Sequence, residues 1–432
     1  MLDIQFIRDN PELVDEKAKQ KSVEVDISKL LELDTQRRQT LRDIEALRAE
    51  RNTIADSMKG GNPSDEQIAR GKEVKDKINQ AEIVLGLIQD AYTQLLKQVP
   101  NVSLEHVPIG HSEEENVVVR TVGEQHPYDY EVKPHWELLK DKDMMDKERA
   151  AKIAGSRFVY LKGDIVRLQF ALIQFVMDTL GNQEVIQKLI DENGLHISAK
   201  PFLPVLPPAM LRTEPYIASA RLNAEEVTYK LENDDLWLNA SAEHTLCTMY
   251  WNETLPEADL PIRYLGYSPS FRREAGTYGK DTEGIIRVHQ FDKLEMEVFS
   301  TAETGLDEHR LLIAIQEYLV QQLKIQYQFV QKCTFDIGKP NASGVDLNCW
   351  FPGQKRYIET HTADYMTDYQ ARDLNTKVRK QDGSTELVHT NDATAFALGR
   401  ILAAIVENYQ DRDGSIWVPE ALKSYLGGRE KI

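Results

Sequence analysis

The stretch SFRREAGTYGKDTEGIIRVHQFDKLEMEVF, from Ser270 to Phe299, holds the densest set of side chains able to do chemistry. Read as a strand, its second half puts Ile286, Val288, Leu294, Met296 and Val298 on one face and Arg287, His289, Phe291, Lys293, Glu295 and Glu297 on the other. The first face suits a core, whereas the second is loaded with charge. Arg272 and Arg273 stand at the end of the preceding strand, and AGTYGKDTEG between them has the glycines and charges of a mobile connection. Two antiparallel strands presenting arginines, an aromatic ring and a carboxylate on one face suit a nucleotide: guanidinium for phosphates, ring for base, acid for an amine. Many half-exposed sheets alternate in the same way, so the pattern alone leaves a plain surface strand open.

Such a face needs a frame. Helical runs at Lys147 to Ala154, Val166 to Leu180, Glu184 to Asn193, Ala242 to Asn252, Asp307 to Gln328 and Ala395 to Tyr409 alternate with strand-like stretches. The strands read at Phe202 to Leu206, Arg263 to Arg273, Ile285 to Phe299, Val345 to Trp350 and Arg356 to Thr362. The mixture lacks a regular βαβ rhythm and a G-x-G-x-x-G, which favours an α+β fold with a mostly antiparallel sheet flanked by helices. Ahead of it, about Asp26 to Met58 and Ser64 to Gln98 are rich in helix formers, with GGNPSDE supplying turn chemistry between them. In the second arm Val74, Ile78, Ala81, Leu85, Ile88, Tyr92 and Leu95 step by four and three, the seam of a two-stranded antiparallel coiled coil. Leu33, Leu41, Ile44, Leu47, Ile54 and Met58 of the first arm are placed to face it. Some 30 helical residues make an arm roughly 45 Å long. The hairpin ends at Pro100, so residues 1–110 form a helical arm and 111–432 a second domain.

Composition narrows the function. The 432 residues carry a formal net charge of −18, which argues against a general nucleic-acid binder and against a DNA partner, because Lys and Arg supply most non-specific affinity. Any RNA contact must be local. The arm offers one such place, where Arg37, Arg38, Arg42, Arg48, Arg51 and Lys59 outnumber Asp43, Glu45, Glu50 and Asp56, although a solvated helix face reads the same way. No apolar run approaches the roughly 20 residues that span a bilayer. The start MLDIQFIRDNPELVDEK has acids where a signal peptide has a basic head, so a cytoplasmic protein without a membrane partner is expected. Cys247, Cys333 and Cys349 have no paired spacing and read as buried thiols of a reducing compartment.

The central passage resembles motif 2 of class II aminoacyl-tRNA synthetases, and specifically the seryl branch, where FR-x-EAG, a glycine-bearing loop and R-x-HQF-x-K-x-E follow in this order. MLDIQFIRDNPELV and the hairpin are similar to that family's tRNA-binding arm, VLPPAML at Val205 to its motif 1, and LENDDLWLNASAEHTL, GRILAAIVENYQ and PEAL complete the resemblance. It implies roles residue by residue. Arg272 would hold the α-phosphate and the amino-acid carboxylate, Glu274 the adenine edge, Phe291 the adenine face, and Arg287 the γ-phosphate of a bent ATP, with Val288 in the same ATP site. Glu359 in RYIETHT matches the acid that binds Mg²⁺, with Thr362 where a second hydroxyl reaches the metal. Arg400 matches the motif 3 arginine that covers the other face of adenine and touches the γ-phosphate. Arg272, Arg287 and Arg400 would carry catalysis by charge stabilisation, with no protein nucleophile. His289, His244 and His361 show no ligand spacing and read as structural.

For the amino acid, Ser241-Ala242-Glu243 stands where the family has T-x-E, Glu295 matches the acid that contacts the ammonium and hydroxyl of serine, and Thr394 aligns with a residue on that hydroxyl. Two departures are sharper. The family's SSCSN run is replaced by His361-Thr362-Ala363-Asp364-Tyr365, and an asparagine two residues before Thr394 by Asp392. The extra carboxylate either strengthens ammonium binding or pairs with a neighbouring cation. The resemblance implies a homodimer that activates serine with ATP and loads tRNA(Ser), each arm guiding tRNA to the partner's active site. Two rivals remain: a synthetase-like ligase with another amino acid or acceptor, and a catalytically silent RNA-binding paralogue.

Overall fold

The computed structural model describes residues 1–59, 64–222, 228–274 and 283–432. The chain divides into two compact units, Met1–Val102 and Ser103–Ile432. In the first, short helices α1 (Ile4–Asp9) and α2 (Pro11–Gln20) precede the long helices α3 (Ile27–Ser57) and α4 (Asp65–Gln98). Asp26 caps α3 by accepting from the Lys29 amide at 2.8 Å, and Ser64 and Gln67 form a reciprocal capping box that starts α4. The expected turn falls partly on residues 60–63, outside the described residues. Leu33 and Ile44 of α3 and Val74, Ile78 and Tyr92 of α4 are buried in the seam. Leu41 is not, contrary to the sequence reading: it is 37% exposed. The residues that do line the seam, Leu33, Ile44 and Leu47, leave Leu41 on the flank of the helix, one step off the stripe.

The second unit is α+β, built on an eight-stranded sheet: β1 (Val117–Val122), β2 (Leu203–Val205), β3 (Ile262–Phe271), β4 (Gln290–Ser300), β5 (Tyr327–Gln331), β6 (Ser343–Phe351), β7 (Arg356–Thr367) and β8 (His389–Ala397). Their order is β1-β5-β6-β7-β8-β4-β3-β2, antiparallel throughout except for the short β2, which runs parallel to β3. Leu294, Met296 and Val298 of β4 are fully buried in the main core with helices α5 (Asp164–Leu180), α7 (Gly305–Gln322) and α8 (Leu398–Asn408). By the two-residue period of a strand, Lys293, Glu295 and Glu297 then point to the opposite face. Under that face sits a four-residue helix, α6 (Glu243–Leu246). A bidentate ion pair of Arg263 with Glu308, both bonds 2.8 Å and both side chains wholly buried, ties β3 to α7.

Several boundaries differ from expectation. The helix expected over Ala242 to Asn252 is only α6, because the chain turns at Cys247 to Asn252. The helix expected to run to Gln328 stops at Gln322, and Tyr327 begins β5. Ile286 to Val288 form a bend instead of extending β4, whose pairing with β3 ends at Gln290 opposite Phe271. No described helix is long and apolar enough to cross a membrane.

Candidate active site

Past the last β3–β4 pair the two chains stay joined. The Arg272 amide donates to the His289 carbonyl at 3.0 Å, and His289 Nδ1 donates back to the Arg272 carbonyl at 2.9 Å. This fixes the Arg272 side chain, whose Nε donates to the Ala240 carbonyl at 3.1 Å and whose guanidinium lies 5.3 Å from the Phe291 ring centre. His289 thus has the structural role read from the sequence. Glu274 sits at φ +48°, in the left-handed region that costs a residue with a Cβ, and its carboxylate pairs with Arg287 Nε at 2.8 Å. The intervening loop falls on residues 275–282, outside those described.

The bend carrying Arg287 is held from beneath. His135 Nδ1 lies 2.8 Å from Glu407 Oε1, both side chains wholly buried, so its Nε2 is left to accept from the Ile285 amide at 3.3 Å. Two glycines permit this approach. A Cβ on Gly284 would fall 1.8 Å from His135 Nε2, and one on Gly399 would fall 2.6 Å from the Ile285 carbonyl oxygen. The second close approach brings the start of α8 against the bend, where Arg400 Nη1 donates to the Glu359 carbonyl at 2.7 Å and to its carboxylate at 2.9 Å. Arg272, Glu274, Arg287, Val288, Phe291, Glu359, Thr362 and Arg400 all line one cavity, together with Lys293 and Thr394. Nothing in the sequence had marked His135 or Glu407, which lie far from these motifs along the chain.

The residues expected at the amino acid meet on the same sheet face. Thr394 of β8 stands opposite Glu295 of β4. Lys293 Nζ donates to Ser241 Oγ at 3.1 Å and is ion-paired with Glu295, and Ser241 donates to Glu295 Oε2 at 3.2 Å. Glu295 Oε1 is buried without a hydrogen-bond partner. Glu243, at the start of α6, lies 3.4 Å from Arg221 and 3.3 Å from His244 Nε2, whose other nitrogen meets the Tyr216 hydroxyl at 2.8 Å. Arg221 also binds Asp392 Oδ2, so one oxygen of the unusual acid is paired with a cation. Sequence reading had assigned roles to neither Arg221 nor Lys293. A basic residue among the acids of a strand was the available signal for Lys293, while Arg221 comes from a loop 171 residues away from its partner.

Burial pushes the Glu295 carboxyl up to about 7 against the pull of Lys293. Burial acts on Glu243 in the same direction, but Arg221, then His244 and Lys293, hold it well below the carboxylate range. A raised Glu295 keeps a proton that the unfolded chain has already released, so its contribution to stability falls as pH rises from about 4.5 towards 7. Binding of an ammonium needs the ionised form. Apparent affinity for serine is therefore expected to rise from pH 6 to pH 8 with a midpoint near 7, and Glu295→Gln to flatten the profile as it weakens binding; a wild-type profile flat over that range contradicts it.

A divalent cation has fitting donors. Asp346 stands opposite Thr362, and Asn348 opposite Glu359, across β6 and β7. Asp346 Oδ1, Asn348 Oδ1 and Thr362 Oγ1 are buried without a hydrogen-bond partner, and all the donors are oxygen, the set a hard cation prefers. Desolvation favours a neutral Glu359, but Arg400, then Lys332 and Arg272, outweigh it and hold the carboxyl below its ordinary value. Neighbouring His361 is buried and neutral, pushed down to about 3 by desolvation, with Nδ1 2.8 Å from Thr360 Oγ1.

On the arm, Arg38, Arg42, Arg48 and Arg51 are exposed along α3. Arg48 reaches Glu82 of α4 at 2.7 Å. Arg37 is mostly covered, 3.1 Å from Asp34 and stacked 4.6 Å from the Tyr92 ring, which makes it part of the hairpin's own packing.

An antiparallel sheet with paired arginine-bearing strands, a helix-borne arginine and an acid closing one cavity defines a class II aminoacyl-tRNA synthetase. Residues 227–409 match the tRNA synthetase class II core domain (G, H, P, S and T), and residues 1–103 match the seryl-tRNA synthetase N-terminal domain. The chain is 40% identical to a serine–tRNA ligase of Pyrococcus abyssi, covering 100% of this chain and 98% of that protein. It is 37% identical to one of Geobacter sp. (strain M21), covering both chains in full. The crystal structure of a Pyrococcus horikoshii seryl-tRNA synthetase complexed with ATP superposes with a TM-score of 0.87, at 37% identity, over 100% of this chain and 99% of that one. The chain belongs to the seryl-tRNA synthetase family.

Proposed function

We propose that the protein condenses serine with ATP to seryl-adenylate and transfers the seryl group to the 3′-terminal ribose of tRNA(Ser). One observation carries this reading: the cavity that gathers Arg272, Arg287, Glu359 and Arg400 also reaches Lys293 and Thr394, beside Ser241 and Glu295. ATP is a ligand of the related P. horikoshii enzyme.

In the first step a serine carboxylate oxygen attacks the α-phosphorus of ATP, and pyrophosphate leaves with the electrons of the broken P–O bond. Arg272 sits between the two subsites, where it meets the carboxylate and the α-phosphate and offsets the charge that develops on the phosphoryl oxygens. Arg287 and Arg400 hold the far phosphates, and Phe291, Val288 and Glu274 hold adenine with Arg400 over its other face. Glu295, Ser241 and Glu243 receive the α-ammonium, Asp392 supports them through Arg221, and Thr394 meets the serine hydroxyl. Glu359 and Thr362, with Asp346 and Asn348 beside them, would hold Mg²⁺, which supplies charge neutralisation on the phosphates when bound. In the second step the terminal ribose hydroxyl attacks the acyl carbon and AMP departs. No protein nucleophile is needed, so catalysis rests on positioning and electrostatics.

The exposed arginines of α3 serve tRNA, and the enzyme acts as a homodimer in the cytoplasm. Replacing Arg38 and Arg42 together by glutamate is expected to raise the KM for tRNA about tenfold or more, since each arginine that neutralises a phosphate adds to binding and a carboxylate in its place repels the backbone. The same variant should leave tRNA-independent ATP–pyrophosphate exchange unchanged. An unaltered KM for tRNA removes these residues from the tRNA surface.

A further inference from the structure

The contacts assigned to the serine ammonium are held in this structure by a side chain of the protein itself. Lys293 Nζ donates to Ser241 Oγ at 3.1 Å, is ion-paired with Glu295 Oε2 and lies 3.9 Å from Glu243 Oε2. Ser241, Glu243 and Glu295 are the residues read as partners of the substrate ammonium, so one alkylammonium already sits where another has to bind. Ser241 and Glu295 are 0% exposed and Lys293 4%. Lys293 lines the cavity with Arg272 and Thr394, whereas Ser241 and Glu295 are not among the described residues that line it. The lysine therefore stands between the cavity and the acid behind it.

A ligand amine cannot simply push this cation aside. A buried ammonium stripped of its partner carries a large desolvation penalty. Arg221, the neighbouring cation, is committed to Asp392 and Glu243, so it does not relieve Glu295. An α-amino acid, however, brings both charges. Inserted between Lys293 and Glu295 as a zwitterion it leaves every charge paired, its ammonium with Glu295 and Ser241 and its carboxylate with Lys293. The move asked of Lys293 is short, because the ligand bears its two charged groups on one carbon, and the flexible lysine stem has the rotamers to follow. The cavity side to which it turns holds Arg272, the expected partner of the same carboxylate.

We infer that serine binds by inserting into the Lys293–Glu295 ion pair, and that Lys293 is the residue that restricts the pocket to amines carrying a carboxylate. The inference rests on serine activation as the function, with Glu295 and Ser241 receiving the α-ammonium. Without substrate Lys293 neutralises Glu295; with serine bound it joins Arg272 on the carboxylate, next to the oxygen that attacks the α-phosphorus. An amine without a carboxylate binds only by leaving Lys293 buried and unpaired, and is rejected on that account. A hydroxy acid without an ammonium meets the mirror-image penalty at Glu295.

The test is serine-dependent ATP–pyrophosphate exchange at pH 8 with ethanolamine as inhibitor, a probe that keeps the ammonium and hydroxyl of serine and lacks the carboxylate. It is run on the wild type and on Lys293→Met, which keeps the length of the side chain and drops its charge. The readout is the ratio of the ethanolamine Ki to the serine KM, because a change in the ionisation or shape of the Glu295 site acts on both ligands alike and cancels. The ratio is expected to fall about tenfold or more in the variant, as serine loses a partner for its carboxylate and ethanolamine loses a competitor for its site. An unchanged ratio, or a variant that ethanolamine does not inhibit, overturns the inference and leaves the serine reading intact, whereas a wild type silent with serine overturns both. Should Lys293→Met not fold or not exchange, a crystal structure of the wild type with the sulfamoyl analogue of seryl-adenylate decides. Lys293 Nζ on the seryl carbonyl or sulfamoyl oxygen, with the ligand ammonium on Ser241 and Glu295 Oε2, supports the insertion. Lys293 still on Ser241 and Glu295 Oε2, with the ammonium elsewhere, contradicts it.

Discussion

Arg272→Ala lowers serine-dependent ATP–pyrophosphate exchange by about 10³-fold, the effect of removing a preorganised donor aimed at developing charge, about 4 kcal/mol of transition-state stabilisation. The side chain is held for that role by the Ala240 carbonyl and the Phe291 face, and its backbone is locked to His289 on both sides. Because the expected contact is with both substrates, the loss appears in kcat as well as in KM for ATP and for serine. Arg272→Lys recovers only a small part, since an ammonium cannot span carboxylate and phosphate as a planar fork does. A circular dichroism melt near that of the wild type separates this loss from unfolding. Retention of exchange within threefold of wild type, about 0.7 kcal/mol, would remove Arg272 from the reaction.

Glu359→Gln is expected to cost about 10²-fold in exchange and to raise the Mg²⁺ concentration needed for half-maximal rate, because the neutral amide keeps the shape and gives up the charge that draws the cation. Arg400 provides the internal control. It is paired with both the carbonyl and the carboxylate of Glu359, so the variant also loosens the arginine expected over adenine, and the KM for ATP should rise together with the Mg²⁺ requirement. Excess Mg²⁺ restores part of the rate if the carboxylate acts on the metal. If the variant responds to Mg²⁺ as the wild type does while the KM for ATP still rises, Glu359 is a brace for Arg400 and not a metal ligand.

Much of this architecture could be read from local pattern. The seam of α4 and the caps at Asp26 and Ser64 follow from spacing and residue type, and the alternation around Lys293, Glu295 and Glu297 correctly separated the core face of β4 from its polar face. Where reading failed, tertiary context decided. TNDATAF in β8 lacks the bulky alternating residues of an exposed strand because it lies between β7 and β4, so a central strand carrying Asp392 and Thr394 went unread. Tyr327 and Gln328 were read as the end of a helix and Phe329 to Gln331 went unread, because aromatic and apolar residues there fit both periods over so short a run.

The site divides in the same way. The motif residues were named because their types and order are distinctive, and the structure gathers those assigned to ATP and the metal around one cavity. Their supports were invisible, because Arg221, His135 and Glu407 act through contacts that span 171 and 272 residues of chain. The choice left open for Asp392 was also one of distance. Only the fold shows that Arg221 takes one of its oxygens and that the other lies unused beside Glu297 and Asp364.

The most direct measurement is charging of tRNA(Ser) with radiolabelled serine in the presence of ATP and Mg²⁺. The account predicts acid-precipitable, alkali-labile seryl-tRNA whose formation is abolished by periodate oxidation of the tRNA terminus and by Arg272→Ala. Serine-dependent pyrophosphate exchange without any charged tRNA, or neither product from a folded protein, would contradict it.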